Sequence, residues 1–254
     1  MGNTLKADIR RAIINRTFIL SVIGMIVCVI VASLDSFKVL LAPEAGLLPN
    51  GFHAEALFNA LESDIIVLVV PIFAALPFTA SYLDDTKSGF IKSYLPRTRI
   101  DSYIRGKIVS AGISGGLALA LGIVFTYFLF WLVLSPLEAA PIVGDMIKPP
   151  IIDLLGHAIM FFLSGALWAL VGLLLASVTG SKYVAYASPF ILYYVLIILY
   201  ERYFKIYCLY PKEWLVPSDA WVMGSIGAVI LLLMLIGITA FSFAIFARRK
   251  LAYV

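Results

Sequence analysis

The sequence predicts an all-α, polytopic membrane protein with six transmembrane helices, and two observations carry that prediction. Hydrophobic residues make up 62% of the 254 positions and charged residues only 13%, whereas soluble domains average about 25% charged residues. The apolar residues also fall into runs long enough to cross a bilayer. The predicted spans are residues 17–34, 65–83, 108–134, 154–178, 183–200 and 222–246. Residues 1–254 form a single transmembrane domain, since no connector is long enough to hold another.

The first 16 residues predict a basic amphipathic helix that precedes the first span. Within residues 3–16, Leu5, Ile9, Ala12 and Ile13 share one helical face, and the lysine and arginines lie away from it. Such a pattern is typical of a helix that lies on the cytosolic membrane surface. A flexible basic tail is the alternative interpretation.

The distribution of basic residues predicts that both termini are cytosolic. In a six-span arrangement, fourteen of the lysines and arginines fall on the inner side and five on the outer side. Basic residues close to membrane spans resist translocation, so the basic side is the cytosolic one. The same rule accounts for the net charge of +4 without any nucleic-acid partner.

Two spans carry residues that suggest a path through the membrane. Prolines 71 and 77 in the second span each remove a backbone donor and predict a bend. In the fifth span, aromatic side chains recur at helical spacing near mid-depth. They either line a path or pack between helices, and the sequence leaves both possibilities open. The candidate path residues are Pro71, Pro77, Tyr186, Phe190, Tyr193 and Tyr194.

The most distinctive polar stretch lies between the second and third spans, over residues 84–107. It contains six basic residues, so we expect it in the cytosol. Asp85 is placed to cap a short helix that runs to about Leu95, with the apolar residues Phe90, Ile91 and Tyr94 on one face. The stretch therefore predicts a folded cytosolic knob with an apolar contact surface.

The motifs of enzymes and metal sites are missing from the sequence. It contains no Gly-x-x-x-x-Gly-Lys-[Ser/Thr] phosphate loop, no His-Glu-x-x-His zinc motif and no Gly-x-Ser-x-Gly nucleophile turn. His53 with Glu55 makes a poor metal site, and Asp153 with His157 is better read as a local pair. We therefore predict no catalytic, metal-binding or cofactor-binding residue in this chain.

A resemblance to a known family adds to these observations. The order of residues in the knob resembles the coupling-helix region of bacterial ABC-2 type (type V) exporter permeases. The matching residues are Asp84, Asp85, Ser88, Gly89, Leu95, Pro96, Arg99, Tyr103, Ile104, Gly106 and Lys107. The amphipathic start resembles the elbow helix of that family. The aromatic segment over residues 201–221 stands where the family has short re-entrant helices, and from its own residues it predicts an interfacial or re-entrant segment.

The resemblance implies a permease subunit in the plasma membrane of a bacterium. It would pair with a second permease, identical or related, and with separate ATPase subunits that hold ATP and Mg²⁺. It would export an apolar, amphiphilic or peptide-like cargo. The residues implied in coupling to the ATPase are Asp85, Ser88, Gly89, Phe90, Ile91, Tyr94, Arg99 and Lys107. A membrane scaffold or sensor that transports nothing is the main alternative, and an intramembrane enzyme is a further one.

Overall fold

The fold consists of packed α-helices. A computed structural model describes residues 2–38, 47–91, 99–140, 150–218, 221 and 223–251, with side chains from Leu5 onward. Ten α-helices lie within these residues. They are α1 Gly2–Ile13, α2 Arg16–Ala32, α3 Leu34–Phe37, α4 Phe52–Leu61, α5 Asp64–Ala75, α6 Ser81–Lys87, α7 Ile100–Leu134, α8 Pro150–Thr179, α9 Lys182–Arg202 and α10 Ser225–Leu251.

The long helices are those of a multi-pass membrane protein. Helices α7 to α10 are each long and apolar enough to cross a membrane, and the number of spans rises from four to six if two bent helix pairs each count as one. In the first pair, Leu5–Ile13 and Arg16–Ala32 meet at 48°, and in the second, Phe52–Leu61 and Asp64–Ala75 meet at 71°.

The bend predicted for residues 65–83 is a complete break at Pro77, so these residues do not form one helix. Helix α5 ends at Ala75, turns occupy residues 76–80, and α6 begins at Ser81. Pro77 lies in the break and has no N–H to donate to the carbonyl of Phe73. The hydroxyl of Ser21 donates to that carbonyl instead, at 2.5 Å.

The carbonyl of Pro77 is also satisfied from the junction between α1 and α2. The amide nitrogen of the Asn15 side chain donates to it at 3.4 Å, and the hydroxyl of Thr17 donates to it at 3.2 Å. Polar groups buried in a membrane protein need such partners, because lipid offers none. Pro71, by contrast, stays inside helix α5.

Helix α8 occupies the centre of the bundle and contacts α5, α6, α7, α9 and α10. Its close approach to α7 depends on glycines. A Cβ atom at Gly115 would lie 2.5 Å from Cβ of Ala169 and 2.8 Å from the carbonyl oxygen of Ala74. A Cβ atom at Gly116 would lie 2.6 Å from the carbonyl oxygen of Phe162. The small residues of α7 therefore serve helix packing within the chain.

In its described residues, the aromatic segment before α10 does not form the short α-helices that the resemblance suggests. Within its described residues, 201–218 and 221, helix α9 ends and turns follow, with one 3-10 helix at Tyr207–Leu209. One carboxylate oxygen of Glu213 accepts hydrogen bonds from the backbone of Ser218 at 2.9 Å and from the indole of Trp221 at 3.1 Å. Backbone hydrogen bonds of successive turns over residues 210–216 hold the segment together with these side-chain bonds.

Candidate functional site

Lys107 lies at the centre of a buried group of polar residues where three helices, α1, α6 and α7, meet the turn between α5 and α6. It lies near the start of α7, and its side chain has no solvent exposure. Its ammonium nitrogen lies 2.6 Å from a carboxylate oxygen of Asp85 on α6 and 3.6 Å from a carboxylate oxygen of Asp8 on α1. We call the residues Asp8, Arg11, Phe78, Asp85, Tyr103 and Lys107 the Lys107 cluster.

Asp85 receives three partners within this cluster. Besides Lys107, the hydroxyl of Tyr103 donates to its Oδ2 atom at 3.1 Å, and the guanidinium of Arg11 donates to its Oδ1 atom at 3.3 Å. The Asp85 side chain is only 4% exposed. A buried carboxylate is stable only when charges and hydrogen bonds surround it in this way. Asp85 therefore fixes α6 to both α1 and α7.

Asp8, like Phe78, belongs to the cluster but is not among the residues that the sequence predicts as functional. It lies on the inward face of α1 beside Ala12, and its side chain is 11% exposed. Burial raises the pKa of the Asp8 carboxyl, and the nearby Lys107 ammonium acts against that rise. Gly106 leaves space for the approach of α1, because a Cβ atom there would lie 2.9 Å from Oδ2 of Asp8.

Aromatic rings complete the surroundings of Lys107. Its ammonium lies 4.8 Å from the ring centre of Phe78 and 5.5 Å from that of Tyr103. Phe78 belongs to the break between α5 and α6, so the cluster also touches that discontinuity. The negative face of an aromatic ring stabilises a cation, most strongly where water is excluded.

The exposed C-terminal end of α6 and the turn that follows it lie directly beside the cluster, and we call residues 86–90 the exposed turn. Residues 86–90 are all solvent-exposed, and Gly89 has a φ of +73°, which strongly favours glycine at this position. The Phe90 side chain is 40% exposed, and the Arg11 guanidinium lies 5.9 Å from its ring centre. Because Arg11 also contacts Asp85, it links the surface turn to the buried charges.

The structure separates the predicted coupling residues into two groups. Ser88, Gly89, Phe90 and Arg99 are exposed, and Arg99 is the N-cap residue of α7. The remaining described ones are buried within the chain: Asp85, Ile91 and Lys107. Tyr94 lies outside the described residues. Among the described coupling residues, the exposed group is placed to contact a partner and the buried group is placed to connect helices.

Two details of the predicted knob are corrected. Asp85 does not cap a helix, because it lies inside α6 and its carboxylate bonds to α1 and α7. Phe90 and Ile91 do not share one exposed contact surface, because Ile91 is 2% exposed and belongs to the same buried apolar cluster as Ala12 and Tyr103. The sequence pattern identified the apolar residues but could not show that part of the chain itself covers one of them.

The candidate path residues also fall into different environments. Pro71, Pro77 and Tyr193 are buried, and the Tyr193 ring packs edge-on against Trp168 with centres 5.2 Å apart. Tyr186 is exposed, whereas Phe190 and Tyr194 are partly exposed and lie against each other, with ring centres 4.8 Å apart. Tyr193 thus has a packing role within the chain, and the other aromatic residues border its surface.

A second buried polar group lies at the opposite end of α7. The Nδ1 atom of His53 lies 2.8 Å from Glu138, and its Nε2 atom lies 3.4 Å from the hydroxyl of Tyr127. Glu138 also accepts hydrogen bonds from the backbone N–H groups of Gly51 and His53, at 3.1 and 2.7 Å. The partner of His53 is therefore Glu138, not Glu55, and the carboxylate holds the first turn of α4.

The predicted pairing of Asp153 with His157 takes a different form. The Nδ1 atom of His157 lies 2.8 Å from the backbone carbonyl of Asp153 rather than from its carboxylate. The ring stacks on Phe58, with centres 4.8 Å apart. This histidine therefore makes a local helix contact and an aromatic contact.

Comparison with known proteins does not assign the chain to a family. No protein-family model matches it, and no curated protein or solved structure is significantly similar to it.

Proposed function

We propose that this chain is the permease subunit of an ATP-driven exporter in the plasma membrane of a bacterium. In this proposal a separate ATPase subunit binds ATP and Mg²⁺, and a second permease, identical or related, completes the pathway. The chain crosses the membrane six times with both termini in the cytosol, and the cargo is apolar, amphiphilic or peptide-like. The basis for the family is the order of residues in the knob, and the basis for the orientation is the distribution of basic residues.

One structural observation carries the proposal. The exposed turn at residues 86–90 is joined through Asp85 and Lys107 to three membrane-proximal elements: α1, α7 and the break in the second span. An exporter of this kind needs a surface element that binds the ATPase and a rigid connection from that element to the spans.

The buried ion pair is suited to such a connection. Removing one partner from a buried pair typically costs about 3–5 kcal/mol. The Asp85 side chain is 4% exposed and the Lys107 side chain has no exposure, so water does not substitute for either group. When a partner displaces the turn, α6 therefore moves together with α1 and α7 rather than separating from them.

The composition of the spans accounts for the proposed cargo. The mid-depths of the predicted spans contain no Asp, Glu, Lys or Arg, and proton- or ion-coupled carriers usually require such groups there. Surfaces lined by residues such as Tyr186, Phe190 and Tyr194 suit an apolar or amphiphilic molecule. Passage along these residues is part of the proposal.

The proposal is tested by purifying the chain from its native membrane and identifying an ATPase that remains bound through gel filtration. We expect one with a phosphate-loop motif, present in equal stoichiometry. A photo-reactive residue in place of Ser88 should cross-link to it, because Ser88 is exposed beside Gly89. The same probe in place of Tyr203, which is 71% exposed at the predicted outer side, is the matched control.

Truncation of Phe90 gives the sharper measurement. Apolar anchors at interfaces typically contribute about 2 kcal/mol or more, so Phe90→Ala should weaken ATPase binding roughly 30-fold. Lys87→Ala, at the edge of the same turn, should change mainly the salt dependence of binding. A scaffold or sensor would be indicated if no ATPase co-purified, or if Phe90→Ala bound it normally and left ATP hydrolysis by the complex unchanged.

A further inference from the structure

A groove between α7 and α10 combines an apolar wall with a basic rim. It encloses about 360 Å³ at the end of the bundle where α7 begins and α10 ends. Its wall is formed by the side chains of Ile104, Ile108, Phe241, Ala244 and Ile245. Phe241 is 69% exposed, and Ile245 is 38% exposed. An apolar surface of this kind, on helices that cross a membrane, faces lipid chains.

The rim of the groove carries more positive charge than its one acid neutralises. Three arginines and one acid border it: Arg105, Arg248, Arg249 and Asp101. Asp101 accepts a hydrogen bond from Arg248 at 2.5 Å. In the described part of the chain, no carboxylate lies within ion-pair distance of Arg105 or Arg249. Two guanidinium groups therefore remain available beside an apolar wall.

The neighbouring Lys250 is used differently. Its ammonium group donates to the backbone carbonyls of Ser177 and Val178 at the end of α8. A cation at that position stabilises the unpaired carbonyls of a helix C-terminus. The basic sequence over residues 248–250 thus divides into one ion-paired arginine, one lysine that caps a helix and one arginine with no carboxylate partner among the described residues.

We propose that this groove binds one anionic phospholipid from the predicted inner leaflet. The phosphate lies between Arg105 and Arg249, and an acyl chain runs along Phe241 and Ile245. Guanidinium groups bind phosphate oxygens through paired hydrogen bonds. Basic pockets between transmembrane helices at the cytosolic side are suited to anionic headgroups. This inference concerns the lipid around the chain and does not depend on transport.

The net charge of the site distinguishes among lipids. Phosphatidylglycerol brings one negative charge that the two arginines attract. Phosphatidylcholine brings the same phosphate with an attached cation, which Arg105 and Arg249 would repel. We therefore expect a preference for phosphatidylglycerol over phosphatidylcholine when the acyl chains of the two lipids are identical.

The test is native mass spectrometry of the full chain released from micelles that contain phosphatidylglycerol and phosphatidylcholine in equal amounts. The wild-type chain should retain a single phosphatidylglycerol in preference to phosphatidylcholine. Each basic residue near a membrane surface typically strengthens anionic-lipid binding about fivefold. Arg105→Gln with Arg249→Gln should therefore reduce retention roughly 30-fold.

A matched control removes the same charge elsewhere. Lys6→Gln with Arg10→Gln changes two exposed basic residues on α1 and should leave the retained lipid in place. Phe241→Ser should also lower retention, because an acyl chain contacts that wall. Inorganic phosphate at millimolar concentration should not displace the lipid.

Three results would overturn the proposal. Equal retention of the two lipids by the wild-type chain would remove the charge preference. Equal losses in the groove variant and the α1 variant would indicate a diffuse electrostatic effect. Displacement by inorganic phosphate, together with full retention in Phe241→Ser, would indicate an anion site that does not recognise lipid.

Discussion

Replacement of Lys107 by methionine tests whether the buried charges bind the helices together. The methionine would keep most of the side-chain volume but leave Asp85 without its nearest cation, which lies 2.6 Å away. Removing one partner of a buried pair costs about 3–5 kcal/mol. Arg11 still faces Asp85 at 3.3 Å, although its side chain is 51% exposed. We therefore expect Lys107→Met to lower the free energy of unfolding by an amount near the lower end of that range, about 3 kcal/mol.

The free energy of unfolding is measured by titrating a denaturing detergent into maltoside micelles and following the fluorescence of the four tryptophans. Asp85→Asn in the Lys107→Met background removes the unpaired charge, so the double variant should recover about 1–3 kcal/mol relative to the sum of the single changes. Lys182→Met is the control, since Lys182 and its partner Asp84 each have side chains that are 48% exposed.

Two outcomes would refute this reasoning. The first is a Lys107→Met variant that is no less stable than Lys182→Met. The second is additivity of the Lys107 and Asp85 changes, which would mean that the two groups do not interact.

Three further predictions concern other parts of the molecule. Gly106→Val should push against Asp8, lower the free energy of unfolding by roughly 1–3 kcal/mol and speed tryptic cleavage in α1. Gly112→Ala is the control and should be tolerated, because its Cβ atom would lie 3.9 Å from Ala166. Equal cleavage rates of the two variants would contradict this prediction. Burial raises the pKa of Glu138, but hydrogen bonds from His53 and Gly51 outweigh it and hold that pKa below its usual range. The Glu138 carboxylate therefore contributes its full stabilisation of the fold at pH values above its unfolded-state pKa of about 4.3. That stabilisation is lost as the pH falls through the lower pKa of the folded state. Hydrogen-exchange protection of the first turn of α4 should fall in that acidic range, and the fall should be absent in Glu138→Gln. Tyr193→Ala should lower the free energy of unfolding by about 3–5 kcal/mol, because the packing of the ring is lost. Tyr193→Phe should not, because the buried hydroxyl has no hydrogen-bond partner among the described residues; a transport defect in Tyr193→Phe with normal stability would instead assign the hydroxyl to the path.

The positions of the long helices follow well from the sequence, because lipid exposure imposes long apolar runs. The predicted span over residues 183–200 corresponds to α9 at Lys182–Arg202, within two residues at each end. Hydropathy alone places the start of α7 too late. This helix begins at Ile100, before the predicted span at residues 108–134, because the polar residues of its first turns pack against α1 and α6. A hydropathy profile does not identify a helical turn whose polar residues form ion pairs and hydrogen bonds inside the fold.

The candidate site was predictable only in part for a related reason. The basic residues of the knob and its pair Gly106-Lys107 identify it as a candidate cytosolic element. The sequence does not show, however, that the side chain of Lys107 is buried. Asp8 did carry a readable indication, since it lies near Ala12 on the apolar face of a basic helix. Its partner is remote in the chain, however, and only the folded arrangement of α1 against α7 identifies Lys107 as that partner.

The break at residues 76–80 has a mechanical consequence. A continuous helix would carry a displacement of α6 undiminished to α5, because each turn is fixed to the next by ladder hydrogen bonds. Here the carbonyls of Phe73 and Pro77 are bonded to side chains of another segment, Ser21 and Thr17 among them. Helices α5 and α6 can therefore pivot about a joint whose stiffness is set by the hydroxyls of α2. Replacing Ser21 and Thr17 by residues that lack a hydroxyl would change how much of a displacement of α6 reaches α5. It would not change the displacement of α6 itself.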